Sequence, residues 1–236
     1  MKKTAAIPKW AGAIAAGLVL GAVPGAQGQP APIAPRPAIR DIAGSEVEAP
    51  AIQRMVQQKL LTVNEAGEFL PVAPLTRGDF AVLAQGMFKL KANPKSRTYD
   101  DVPAGSALFG SVSALAPYMN FQPLCPGCAL PRHFLANTPI TRAQMALVMV
   151  RILGAQKKIA PLSAADIGAL MAQNPDAASV SARAWPYLAL AVKQQILPVQ
   201  TGNLLAPHLA VTRAQGAVIA DAVQQHFVPI TVGVKP

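Results

Sequence analysis

Apolar side chains recur at helical intervals in three places along the chain, each time directly after a Thr-Arg pair. After Thr76 the face is Phe80, Leu83, Met87 and Leu90. After Thr141 it is Met145, Val148, Ile152 and Ala155, and after Thr212 it is Gly216, Ile219, Val223 and His226. The pattern predicts three amphipathic helices, running from the Arg of each pair to about Lys91, Leu153 and His226. A shorter apolar face precedes each of them. Ile52, Met55, Val56 and Leu60 share one side of residues 49–61, and Leu108, Val112, Leu115 and Tyr118 share one side of residues 106–119, where Pro117 limits the helix. The third such stretch covers residues 185–197, and a short extra helix is expected over 164–171. Each unit therefore reads as helix, loop with a turn, then a second helix, so the fold class is all-α.

The residues leading into each Thr-Arg pair match from copy to copy. A large apolar residue stands seven before the Thr (Phe69, Phe134, Leu205), and an aliphatic one stands just before it (Leu75, Ile140, Val211). Ala stands five after it (Ala81, Ala146, Ala217), small in all three and suited to a close approach by another element. Three in-phase copies of so many matched positions constitute an internal repeat. The Thr has a mechanical role. In a capping box its hydroxyl accepts from the third helical amide, and the third helical side chain reaches back to the Thr amide. Thr76, Thr141 and Thr212 are thus expected to be N-caps. Gln144 and Gln215 suit the returning partner, and the shorter Asp79 suits it less well. Gly216 replaces a core side chain and lowers helix propensity, which makes the third helix the weakest on sequence grounds. Repeats of this kind cannot bury their apolar faces alone and must pack on their neighbours.

Tyr99-Asp100-Asp101-Val102-Pro103 and the stretch from Phe134 to Met145 resemble the opening and closing signatures of the S-layer homology domain. The resemblance extends over residues 41–228, with the second copy the clearest and the other two degenerate but in phase. It implies three repeats with pseudo-threefold symmetry, the first helices in a central bundle and the capped helices outside. It also implies non-covalent attachment to cell-wall polymers, either secondary polysaccharides carrying pyruvate ketals or, beneath an outer membrane, peptidoglycan. By the same resemblance Arg77, Arg142 and Arg213 contribute to the ligand groove. Asp79, Gln144 and Gln215 depart from the Glu that the family prefers. Physical chemistry favours such a role: free amides and the dipole at a helix N-terminus attract anions, and an Arg there offers a planar donor fork. Three such ends would act multivalently on an acidic polymer.

On this reading residues 41–92, 98–156 and 163–228 are the three repeats. Residues 29–40, with four prolines, form an extended tether, and residues 229–236 form a short β-branched tail. Residues 1–28 have the three parts of a secretory signal: Lys2 and Lys3, an uncharged apolar stretch over 11–23, and Ala26-Gln27-Gly28 at a cleavage site. That stretch is too short to span a bilayer comfortably, so the protein is expected to be exported to the periplasm or cell surface and not membrane-spanning.

The 21 Lys and Arg outweigh 11 Asp and Glu. In an envelope the excess points to an acidic glycan, a teichoic-type polymer or an anionic lipid. Without clustered Lys/Arg and interleaved aromatics, nucleic acid is not an expected partner. Cys125-Pro-Gly-Cys128 is read first as a local disulfide stapling a long loop. Redox chemistry ranks behind it, lacking a thioredoxin-like surround, and a zinc site with His133 or His208 ranks lower still. His133, His208 and His226 do not cluster in sequence, and Asp100, Asp101 and Asp166 read as turn or cap residues. No phosphate loop, His-Glu-x-x-His or Gly-x-Ser-x-Gly is present. No catalytic residue, cofactor or metal is expected. The leading expectation is a non-catalytic binder of peptidoglycan or acidic wall glycan. The alternatives are a periplasmic scaffold that binds an envelope protein and a thiol-disulfide protein using Cys125 and Cys128.

Overall fold

The structure, a computed structural model, describes residues 39–43, 47–93, 95, 99–121, 124 and 132–227. The expected signal segment, all of the tether before residue 39, Cys125, Cys128 and the tail from residue 229 fall outside the described residues. Seven α-helices are described: α1 (Ala49–Gln57), α2 (Arg77–Phe88), α3 (Phe109–Leu115), α4 (Arg142–Ala155), α5 (Ala164–Ala172), α6 (Trp185–Lys193) and α7 (Arg213–Phe227). A 3-10 turn, Ala116–Tyr118, carries Pro117 and ends α3 earlier than the periodicity alone predicts. The described residues contain no strand, only isolated bridges, so the fold is all-α.

Three of those bridges gather the segments before the capped helices. Leu75 N–H donates to Val211 C=O at 2.8 Å, Val211 N–H to Ile140 C=O at 3.0 Å, and Ile140 N–H to Leu75 C=O at 3.0 Å. The three bonds close a ring. Their side chains, with Phe69, Phe134 and Leu205 behind them, are fully or almost fully buried. An extended stretch in a helical protein leaves backbone groups without local partners, and buried ones must be paired. Here each stretch pairs with the two others.

Helix packing follows the same cyclic order. α1 packs on α7, α3 on α2, and α6 on α4, so every first helix lies against a capped helix from another unit. α2 also touches α4 and α7. The resemblance implied first helices at the centre and capped helices outside. The burial pattern places the emphasis elsewhere. α4 buries most of its length, from Arg142 to Leu153, whereas α1 buries only Ala51, Ile52 and Met55. The reason is geometric: the capped helices start at the ring, so they begin adjacent to one another. α5, on the α6 side, buries only Met171 and is additional to the repeated plan.

Gly216 fits this arrangement. A Cβ placed on it would lie 2.7 Å from Leu75 Cδ2, inside the ring's own side-chain shell. The residue that weakens α7 as an isolated helix makes room where Phe80 and Met145 already fill the corresponding positions. A second tie between α7 and α1 is polar. Arg54 Nε and Nη2 reach the two oxygens of buried Asp221, each at 2.6 Å, and Gln224 Nε2 donates to Gln58 Oε1 at 2.7 Å.

Gly216→Ala should therefore lower stability, although Ala favours a helix by about 1 kcal/mol over Gly; overpacking of roughly 1–3 kcal/mol outweighs the gain. Denaturant titration of Gly216→Ala, Leu75→Val and the double variant tests this. The double variant should recover part of the loss, and additive losses would show that the two side chains do not meet.

Candidate functional site

The candidate site is built where each repeated lead-in, or phrase (residues 69–76, 134–141 and 205–212), enters its helix. Thr76 Oγ1 accepts from Asp79 N–H at 3.0 Å, and the Thr76 amide donates back to Asp79 Oδ2 at 3.4 Å. Thr141 with Gln144 and Thr212 with Gln215 form the same reciprocal pairs at 3.1–3.3 Å. The longer return contact at Asp79 reflects its shorter side chain.

The first two amides of each helix have protein partners as well. Arg77 and Gly78 donate to Thr138 and Ala136 carbonyls, and Arg142 and Ala143 to those of Leu209 and Pro207. Arg213 and Ala214 donate to those of Ala73 and Pro71. With the Thr taking the third amide and its own carbonyl the fourth, every N-terminal donor is satisfied. The open helix N-terminus invoked above as an anion trap is thus closed at all three caps by the neighbouring phrase. Gly78 is suited to this approach, since a Cβ there would lie 3.2 Å from the Ala136 carbonyl oxygen.

The three arginines turn inward. Arg142 is 3% exposed and Arg77 7%. Arg142 Nε donates to Leu205 C=O at 2.9 Å and its Nη2 to Pro198 C=O at 2.6 Å. Arg213 does the same with Phe69 C=O at 2.8 Å and Thr62 C=O at 2.6 Å. It adds a contact of 3.3 Å to Asp79 and lies 4.7 Å over the Phe69 ring. Arg77 lies 5.2 Å from the Phe134 ring centre and 5.3 Å from that of Phe121. Its Nε and Nη2 are buried and have no hydrogen-bond partner among the described residues. The stretch corresponding to Thr62 and Pro198 in the second copy lies outside those residues. Burial pushes the Arg77 guanidinium below its ordinary value, partly offset by Tyr99 and Asp101. Burial lowers Arg142 too, against the charge of Asp176. Each Arg thus spans from its own cap to the first residue of another phrase.

Sequence reasoning missed a second matched element. Asp41, Asp101 and Asp176 each accept two successive backbone amides at the start of a phrase. The donors are Phe69 and Leu70 (2.7 and 2.6 Å), Phe134 and Leu135 (2.6 and 2.7 Å), and Leu205 and Ala206 (2.9 and 2.7 Å). The second donor is left-handed each time, with φ of 58°, 57° and 48°, a conformation that the carboxylate holds through both N–H groups. An Asp about thirty residues before the phrase was the available signal; Asp176 was hidden because α5 intervenes before it.

Arg142 also floors a groove of about 250 Å³ between the start of the first unit and the third, lined by Val47, Glu48, Pro198, Val199, Gln215 and Ile219 among others. The arrangement defines a class: an all-α body of interlocked capped repeats, with buried cations at the seams and open grooves between units. Comparison with known families supports the same class. Residues 38–81 and residues 175–217 each match the S-layer homology domain. Domains of that family bind cell-wall polymers, and proteins carrying them are generally associated with the cell surface. The second copy, whose signature reads most clearly in sequence, lies outside both matched segments. No curated protein matches the chain. Among the described residues no helix is long and apolar enough to cross a membrane.

The Asp clamp has a pH signature. Burial alone would raise Asp101, but the amides of Phe134, Leu135 and Asp101 itself, with His133, hold it below the usual carboxylate range. A depressed folded value means that its stabilisation is present above the unfolded value, about 3.9, and disappears as pH falls through the lower folded one. Phe134 and Leu135 donate to different oxygens of Asp101, so Asp101→Asn sets an NH2 donor against one of the two amides and loses that contact. It should cost about 1–2 kcal/mol at neutral pH, discounted for the exposed carboxylate, and flatten the loss of stability below about pH 4. Urea titrations of both proteins across that range check it; an unchanged acid limb would remove the clamp from the account.

Proposed function

We propose that the protein is an exported, non-catalytic envelope binder. It attaches non-covalently to peptidoglycan or to an acidic, including pyruvylated, cell-wall polysaccharide through three S-layer homology-like repeats of pseudo-threefold arrangement. The observation that carries this reading is the family match over residues 38–81 and 175–217. The cyclic equivalence of caps, Asp clamps and ring bonds in all three copies supports extending the repeat to residues 98–156. The signal segment over residues 1–28 and the basic balance of the chain support an envelope location and an acidic partner.

Arg77, Arg142 and Arg213 remain the proposed anion contacts, in a sense changed by their burial. Arg213 already donates to two carbonyls and a carboxylate. Arg142 reaches an open groove, and Arg77 holds donors free of partners among the described residues. These two are the better candidates. A carboxylate or ketal acid entering the Arg142 groove would meet a desolvated guanidinium that its own carbonyl partners hold in place. Wall-chain repeats would then engage more than one seam.

A scaffold that binds an envelope protein is the second reading. The exposed apolar residues Leu70, Val72, Leu135 and Leu209, all in the loops before the caps, favour it. The thiol-disulfide reading rests on Cys125 and Cys128, outside the described residues.

Sedimentation with purified sacculi separates the readings. The wild type should co-sediment, and Val199→Trp, which fills the groove from its exposed rim, should weaken binding at least tenfold with unchanged circular dichroism. An Arg77/Arg142/Arg213→Lys variant keeps the charge but loses the forks and should also bind less. Equal binding by all would discard these seams as the site. No binding by the wild type would favour the scaffold.

A further inference from the structure

The opposite ends of α2 and α4 carry a feature that wall binding does not use. Lys89 caps α2 and Lys157 follows α4, both with left-handed backbone at φ 52° and 56°. Gln156 Nε2 donates to Phe88 C=O at 3.1 Å. The two lysines therefore each stand one residue from a bond that ties the helix ends together, and Lys91 and Lys158 lie beside them in sequence. The end of α1 joins them. A Cβ on Gly86 would lie 2.4 Å from Leu60 Cδ2, and Lys59, at φ 58°, precedes Leu60. All five lysines are exposed, and none is ion-paired among the described residues.

Folding alone gives little reason for lysine here. Left-handed residues after a helix are ordinarily glycine. A side chain in that conformation is strained. The favourable field of a helix C-terminus returns only part of that cost. Three turns nevertheless place a lysine at that position and converge on one end of the body. Along α2 this end lies about 18 Å from the cap, at 1.5 Å per residue.

We propose that this lysine face docks on a bilayer surface rich in anionic phospholipid headgroups. The five cations are compact charges on flexible stems, without the planar forks that grip a single carboxylate. Such an array suits the diffuse field of a charged sheet, where each lysine contributes about 1 kcal/mol. The protein then has two working ends: seams near the caps for the wall, and a basic end for the adjacent membrane.

The test measures co-sedimentation of the full chain with vesicles of equal phosphatidylglycerol and phosphatidylcholine, and with phosphatidylcholine alone. The variant Lys89→Gly/Lys157→Gly removes two charges while relaxing the backbone. Its melting temperature should not fall. Its partitioning to the anionic vesicles should drop about 30-fold, from roughly 1 kcal/mol per lysine, and wild-type binding should weaken with added salt. Sacculus binding should be the same for both proteins, so loss of the wall reading and loss of this one are separable. Equal vesicle binding by both proteins, or equal wild-type binding to the two lipid mixtures, would overturn the proposal. Loss of sacculus binding with retained vesicle binding would assign the lysines to the wall polymer and also overturn it.

Discussion

Three backbone hydrogen bonds among Leu75, Ile140 and Val211 organise this molecule. They join segments far apart in the chain, and each segment is extended, so none can satisfy itself. Closing the ring sets three helix origins side by side. The side chains behind it are chosen to fit a shared interior, with Gly216 vacating the space that Leu75 occupies. Once the origins are fixed, each first helix finds its apolar partner on a capped helix of another unit, and α6 packs on α5 as well. Packing therefore passes from unit to unit around the body, and no single unit encloses a core of its own.

The same constraint decides the chemistry of the caps. A helix N-terminus with free amides would be an anion site. Here the neighbouring phrase supplies a carbonyl to each of the first two amides, and the Thr supplies an oxygen to the third. The arginine beside each Thr is drawn inward too. Arg142 and Arg213 brace carbonyls of another unit; Arg77 lies against both the Phe121 and the Phe134 ring. A buried cation is costly unless paired, so these seams hold charge in places where an acidic group from outside would find it poorly hydrated. Structural bracing and anion recognition are compatible in one residue, because a guanidinium has more donors than two carbonyls use.

A body built this way presents different surfaces at its two ends. The cap end is a place of seams, exposed apolar loop residues and buried arginines. The other end is a set of turns bearing exposed lysines that are not ion-paired among the described residues. The two proposed contacts, with wall polymer and with membrane, would use these two ends, and the distance between the ends is set by the length of the helices.

Much of the fold was legible in the sequence, for identifiable reasons. Thr-x-x-Gln spacing is a local device, complete within one turn, so the caps at Thr141 and Thr212 and the helices after them could be read directly. The seven-residue offset from Phe134 to Thr141 marked buried anchors in the same way. The Asp clamps could not be read so easily, because each Asp lies 28–34 residues from its two amides with a helix between them, and α5 sets Asp176 apart from the unit before it. Nor could the inward turn of the arginines, since an Arg at a helix start looks exposed until another unit covers it. The repeated elements and their caps depend on residues within a few positions of one another, so they are written in the chain itself. Which unit each element packs against, whether a cap faces solvent, and why Gly216 belongs at the ring emerge only once the chain is folded. Those depend on atoms brought together from all three units.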